Sequence, residues 1–265
     1  MTAFLAASLI FAQATAAQQA PPPAELPTIE DDRLLACMRE ARNDPAQAIT
    51  TAIDWLQGTS GAPASKPQEC LGFAYMGILR WQAAKDSFVM ARDARVFDDY
   101  AERARLGAMA GNAALAGGSN GQALALLRRA QEDALTAQDN ALAGQIASEK
   151  ARALVAQDRA DDAATALEQA RDLAPQNADI WLLSATLARR MDDLPNAQNW
   201  IETADLLAPN NPSIGLEAGV IAMLGGFEDA ARNSWLSVVA TSGGTPQAET
   251  ARAYLAQLEQ DIPGR

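Results

Sequence analysis

Carboxylates are the only acid–base groups this chain holds in quantity: it has 33 Asp and Glu and no histidine. The missing imidazole removes Ser-His-Asp and Cys-His nucleophilic catalysis, histidine general bases and histidine-ligated metals together. Carboxylate pairs remain at Asp31-Asp32, Asp98-Asp99, Asp161-Asp162 and Asp192-Asp193. Two carboxylates suffice for glycoside hydrolysis. Each pair, however, precedes a helical stretch or lies between two, where Asp caps free amides and favours the positive helix end. Capping is the expected role. Gly117-Gly118-Ser119-Asn120-Gly121 comes nearest to a phosphate loop, but no Lys follows it, so it is expected to be a helix–helix turn. The chain is therefore expected to have no catalytic residue, no cofactor and no metal.

The remaining reactive groups are Cys37 and Cys70, the two cysteines of the chain. In an exported protein such a pair is expected to form a disulfide, with two buried free thiols as the alternative. Leu34-Leu35-Ala36-Cys37 has the letters of a lipobox, but Glu30, Asp31, Asp32 and Arg33 precede it where an apolar run is required. The match is expected to be accidental.

Export itself is read from residues 2–17, an apolar stretch ending in Ala14-Thr15-Ala16, the small-x-small pattern of a signal-peptide cleavage site. It is shorter than the roughly 20 apolar residues a membrane helix needs. The expected organisation is a signal peptide over 1–16, a Pro- and Gln-rich linker over 17–29 and one helical domain over 30–262. A periplasmic location follows. Net charge is −12, which repels phosphate backbones and anionic lipid and makes nucleic acid a poor partner. No membrane span is expected.

What positions these residues is a repeat. Ala163, Leu167, Ala170 and Pro175 recur as Ala197, Ile201, Ala204 and Pro209, 34 residues later. The spacings within each set place the first three on one helix face, and the proline stops the helix. Trp181 and Ala185 lie on the preceding helix of the second set. An earlier unit has Leu71-Gly72, Tyr75 and Trp81, then Ala84, Phe88 and Ala91. In this pattern the sequence resembles the tetratricopeptide repeat family, whose unit is two antiparallel helices, A and B. Ser184 stands where the family pattern has Leu. The resemblance implies an all-α, right-handed superhelical solenoid of antiparallel helix pairs, about six repeats plus a C-terminal capping helix opened by Thr245-Pro246. The small helix-B position is expected at Ala48, Ala84, Ala123, Ala163, Ala197 and Ala230.

The family's groove lies on the concave face, lined by helix A. Carried over, its positions fall on Phe73 and Met76, then Arg105, Ala108, Asn112 and Leu115. Further along they fall on Ser148, Arg152 and Val155, and then on Asp179, Leu182, Thr186, Arg189 and Arg190. Partner-binding residues are thus expected at Phe73, Met76, Arg105, Asn112, Arg152, Leu182 and Arg189. The polar members would form a cationic strip suited to a carboxylate, such as a peptide C-terminus; the alternative is that these arginines are solvated or paired with nearby acids. The expected function is a non-enzymatic interaction scaffold whose partner is a protein or peptide. A repeat subunit of a secretion or outer-membrane complex is the alternative, and an exported carboxylate-dependent hydrolase on a helical toroid comes third.

Overall fold

The structure is a computed structural model and describes residues 28–260. The expected signal peptide and nearly all of the linker lie outside the described residues. Thr28 opens the first helix with a capping box: its hydroxyl accepts from the Asp31 N–H while the Asp31 carboxylate accepts from the Thr28 N–H. Lys66 also pairs with Asp31, and these contacts hold the Asp31 carboxyl well below its ordinary range.

The described residues form thirteen α-helices. Six successive A–B pairs are α1 (Ile29–Asn43) with α2 (Pro45–Leu56), α3 (Ser65–Gly77) with α4 (Trp81–Ala94), and α5 (Tyr100–Ala116) with α6 (Asn120–Thr136). They continue as α7 (Asn140–Val155) with α8 (Ala160–Leu173), α9 (Ala178–Arg190) with α10 (Leu194–Leu207), and α11 (Pro212–Leu224) with α12 (Glu228–Thr241). A last helix, α13 (Pro246–Gln260), buries Ala248, Ala251 and Leu258 against α11 and α12. Its other side carries Glu249, Arg252 and Gln257, all exposed, as an end cap requires.

Every helix packs on the next, and the A helices also touch one another: α1 on α3, α5 on α7, α7 on α9, α9 on α11. This is the solenoid expected from the sequence. The A helices take the tighter, inner side.

The fourth residue of every B helix is a fully buried alanine: Ala48, Ala84, Ala123, Ala163, Ala197 and Ala231, each 0% exposed. The sixth member is a correction to the sequence expectation, because Ala230 is exposed. Its register is set by the A–B turn. Leu79, Gly118, Asp158, Asp192 and Gly226 are left-handed, with φ of 58–80°, each five residues before the buried alanine. The next N–H bonds back over the turn, as from Arg80 to the Tyr75 carbonyl and from Phe227 to that of Ala222, closing a Schellman cap. In Gly225-Gly226 either glycine suits that geometry on sequence grounds, and the structure selects Gly226. With Ala231 in place, the spacing of 34 holds through 163, 197 and 231.

Close packing between A and B helices accounts for the small residues. A Cβ added at Gly72 would come within 2.5 Å of the Phe88 ring. Ser184 is explained similarly. It is fully buried, donates to the Ile180 carbonyl at 2.8 Å and accepts from Arg171 Nη1 at 2.7 Å. At the N-terminal end, a disulfide between Cys37 and Cys70 ties α1 to α3, with a Cα–Cα distance of 6.0 Å.

Candidate partner-binding groove

The inner face is built where one A helix meets the next, and each junction resolves its charges differently. Between α3 and α5, Arg105 grips Glu69 through Nη1–Oε1 at 2.7 Å and Nη2–Oε2 at 2.8 Å, and also holds Glu102. Burial works against the Arg105 charge, but the hydrogen bonds it donates to its two carboxylates outweigh it, and its pKa rises above the ordinary value. Between α9 and α11, Arg189 pairs with Glu217, Nε–Oε1 at 2.7 Å. Two arginines of the expected cationic strip are thus neutralised within the fold.

Between α5 and α7 stands Glu149. Burial pushes its carboxyl up, opposed by hydrogen bonding from Asn112 and Gln145 and by the charge of Arg152. One of its oxygens is buried without a hydrogen-bond partner.

The α7–α9 junction is different. A cavity of about 170 Å³ opens there, lined by Ser148, Arg152 and Val155 of α7 and by Thr186 and Arg190 of α9. Leu167, Leu183 and Leu187 also line it. Arg152 and Arg190 are both exposed, and neither joins an ion pair among the described residues. Two guanidinium groups outside any ion pair, beside an apolar lining, fit an anion attached to an apolar group: guanidinium forks match carboxylate oxygens, and leucines accept a hydrocarbon side chain.

The other expected groove residues are more structural. Phe73 packs edge-to-face on Phe88, ring centroids 5.3 Å apart, and Met76 packs on the same cluster. Leu182 is half-buried against the Ala185 and Ile201 cluster. The leucines of the cavity were absent from the sequence expectation. Leu183 and Leu187 do stand four apart on α9, a face the groove positions alone do not specify.

The carboxylate pairs lie at helix starts. Asp31 belongs to the α1 capping box, Asp161-Asp162 form the first turn of α8, and Asp193 caps α10 by accepting from the Asn196 N–H. Asp99 precedes α5 and pairs with Arg95. Among the described residues, no group of three or more His, Cys, Asp or Glu is placed to hold a metal, and no helix is long and apolar enough to cross a membrane.

The tetratricopeptide repeat family model matches residues 154–218, from the end of α7 into α11. No curated protein matches the sequence. Among solved structures, PilF of Pseudomonas aeruginosa is similar at a TM-score of 0.62 and 15% identity, over 85% of this chain and 99% of that one. PilW, described as a widely conserved type IV pilus biogenesis factor, is similar at 0.66 and 16%, over 86% and 100%. Yeast Tom70 gives 0.67 and 16%, over 88% of this chain and 48% of that one. At these identities the likeness is one of fold. Residues 154–218 are thus similar to tetratricopeptide repeat sequence, and the described residues as a whole form a solenoid like those of tetratricopeptide repeat proteins.

Proposed function

We propose that the chain is a non-enzymatic scaffold, exported to the periplasm, that binds a peptide or partner protein in its concave helix-A groove. The observation that carries this reading is the α7–α9 junction. There Arg152 and Arg190 line one cavity beside leucines, whereas the arginines of the α3–α5 and α9–α11 junctions each pair with a carboxylate. The ligand this favours is a carboxylate next to an apolar side chain, and a peptide C-terminus supplies both. The periplasmic location rests on Ala14-Thr15-Ala16, and the fold likeness to PilW, a type IV pilus biogenesis factor, is in keeping with it.

Fluorescence anisotropy with labelled peptides ending in leucine tests the site. A free C-terminus should bind and the C-terminal amide should bind about tenfold more weakly, the size of one lost charge-assisted pair. Equal binding of acid and amide would remove the carboxylate from the account.

A second reading, a repeat subunit of a secretion or outer-membrane complex, is favoured by the N-terminal end of the solenoid. Ile29 is 84% exposed and Leu35 56% exposed on α1, whereas the C-terminal end is closed by the polar side of α13. Exposed apolar side chains at that end, among the described residues, suit docking on a neighbouring subunit.

A further inference from the structure

The last three repeats share a 34-residue register, through Ala163, Ala197 and Ala231, so their equivalent crevices can be compared position by position. The crevice among α8, α9 and α10 is partly plugged from within, which leaves a cavity of about 300 Å³. Arg171 lies 4.1 Å from the Trp200 ring centroid and 5.6 Å from that of Trp181, and it donates to Ser184. This guanidinium is held by stacking and a hydrogen bond, and burial pushes its pKa down while Glu168 and Asp172 oppose the shift.

In the next crevice, among α10, α11 and α12, every part of the plug is gone. Asp205 stands 34 residues after Arg171, Gly215 after Trp181, Ser234 after Trp200 and Ala218 after Ser184. All four line a cavity of about 400 Å³. Ile201 and Val238 give it an apolar side, and Glu202 adds a second carboxylate from α10. No Lys or Arg lines it. Neither Glu202 nor Asp205 joins an ion pair among the described residues. The charge at the plug position has been reversed and Ser234 stands in place of the Trp200 ring, while Val238 packs against Gly215.

We infer that this outer crevice is a second binding site, which takes an arginine flanked by an aromatic residue from a partner polypeptide. The partner supplies in trans the guanidinium and ring that Arg171 and its tryptophans supply one repeat earlier. Asp205 and Glu202 are the acceptors for the guanidinium, and the space beside Ser234 receives the ring. The site lies among α10, α11 and α12 and shares no lining residue with the cavity of Arg152 and Arg190, so the two surfaces can be tested separately.

The probe is a fluorescein-labelled peptide built on two arginine–tryptophan pairs, titrated into the full chain, with a citrulline-for-arginine peptide as its neutral shape match. The arginine peptide should bind, and citrulline should weaken it about tenfold. Glu202→Gln with Asp205→Asn should weaken it similarly, while Arg152→Ala with Arg190→Ala should leave it unchanged. Asp205→Arg with Ser234→Trp rebuilds the plug and should abolish binding, with the helical circular dichroism signal and melting temperature retained or raised. Three results would overturn the inference: no binding of the arginine peptide, equal binding of the citrulline peptide, or undiminished binding to the neutralised pair. If the rebuilt variant does not fold, the neutralised pair decides the matter.

Discussion

Arg105 and Glu69 meet through both guanidinium nitrogens and both carboxylate oxygens across 36 residues of sequence, with Glu69 only 3% exposed. This pair ties α3 to α5 on the inner face. Removing the arginine leaves a buried carboxylate without its partner, which is costlier than losing both. Arg105→Ala should destabilise the fold by about 2–4 kcal/mol in denaturant unfolding, and Glu69→Gln with Arg105→Gln should recover part of the loss. Arg152→Ala, which breaks no ion pair, should stay within about 0.5 kcal/mol of the parent.

The helix-B register makes a sharper demand at the sixth repeat. Ala231 is fully buried while Ala230 beside it is exposed. Ala231→Leu should cost about 1–3 kcal/mol by overpacking, and Ala230→Leu should cost little. Thermal unfolding of the two variants separates them, and the reverse order would return the register to Ala230.

Glu149 predicts a pH dependence of known sign. Its carboxyl is held above the ordinary 4.5, chiefly by burial. The stability linked to its proton is fully present below that ordinary value and is lost as pH rises through the elevated folded-state pKa. Glu149→Gln escapes this loss. Its melting temperature relative to the parent should therefore climb between pH 4 and pH 8, and a difference flat in pH would contradict the assignment.

The Cys37–Cys70 bridge spans 33 residues. Closing a loop of this length is worth about 3–4 kcal/mol in the chain-entropy model. Cys37→Ala with Cys70→Ala should lower stability by up to that amount, and a reducing agent should lower the parent's melting temperature while leaving the double variant unmoved.

The sequence displayed the solenoid because its signals are local. A left-handed turn residue stands five positions before the buried alanine in five units, a helix-stopping proline recurs at Pro175 and Pro209, and each acts within one unit. The site was less legible because it depends on contacts between units. Arg105, Arg152 and Arg189 look alike in sequence, yet Glu69 and Glu217 neutralise two of them from 36 and 28 residues away. Ser184 reads as a flaw in the repeat pattern until Arg171 is seen to donate to it. The Gly225-Gly226 doublet concealed one residue of register, since either glycine accepts positive φ and the structure assigns it to Gly226.

The central claim, that the inner groove holds a partner, is tested most directly by site-specific photocrosslinking in intact cells. A crosslinking amino acid at Thr186, beside Arg152 and Arg190 in the cavity, should yield one discrete adduct that disappears with Arg152→Ala and Arg190→Ala. The same group at Arg129, exposed on the B helix α6, should yield none of that adduct. An adduct that survives loss of both arginines, or that forms equally from Arg129, would contradict groove binding.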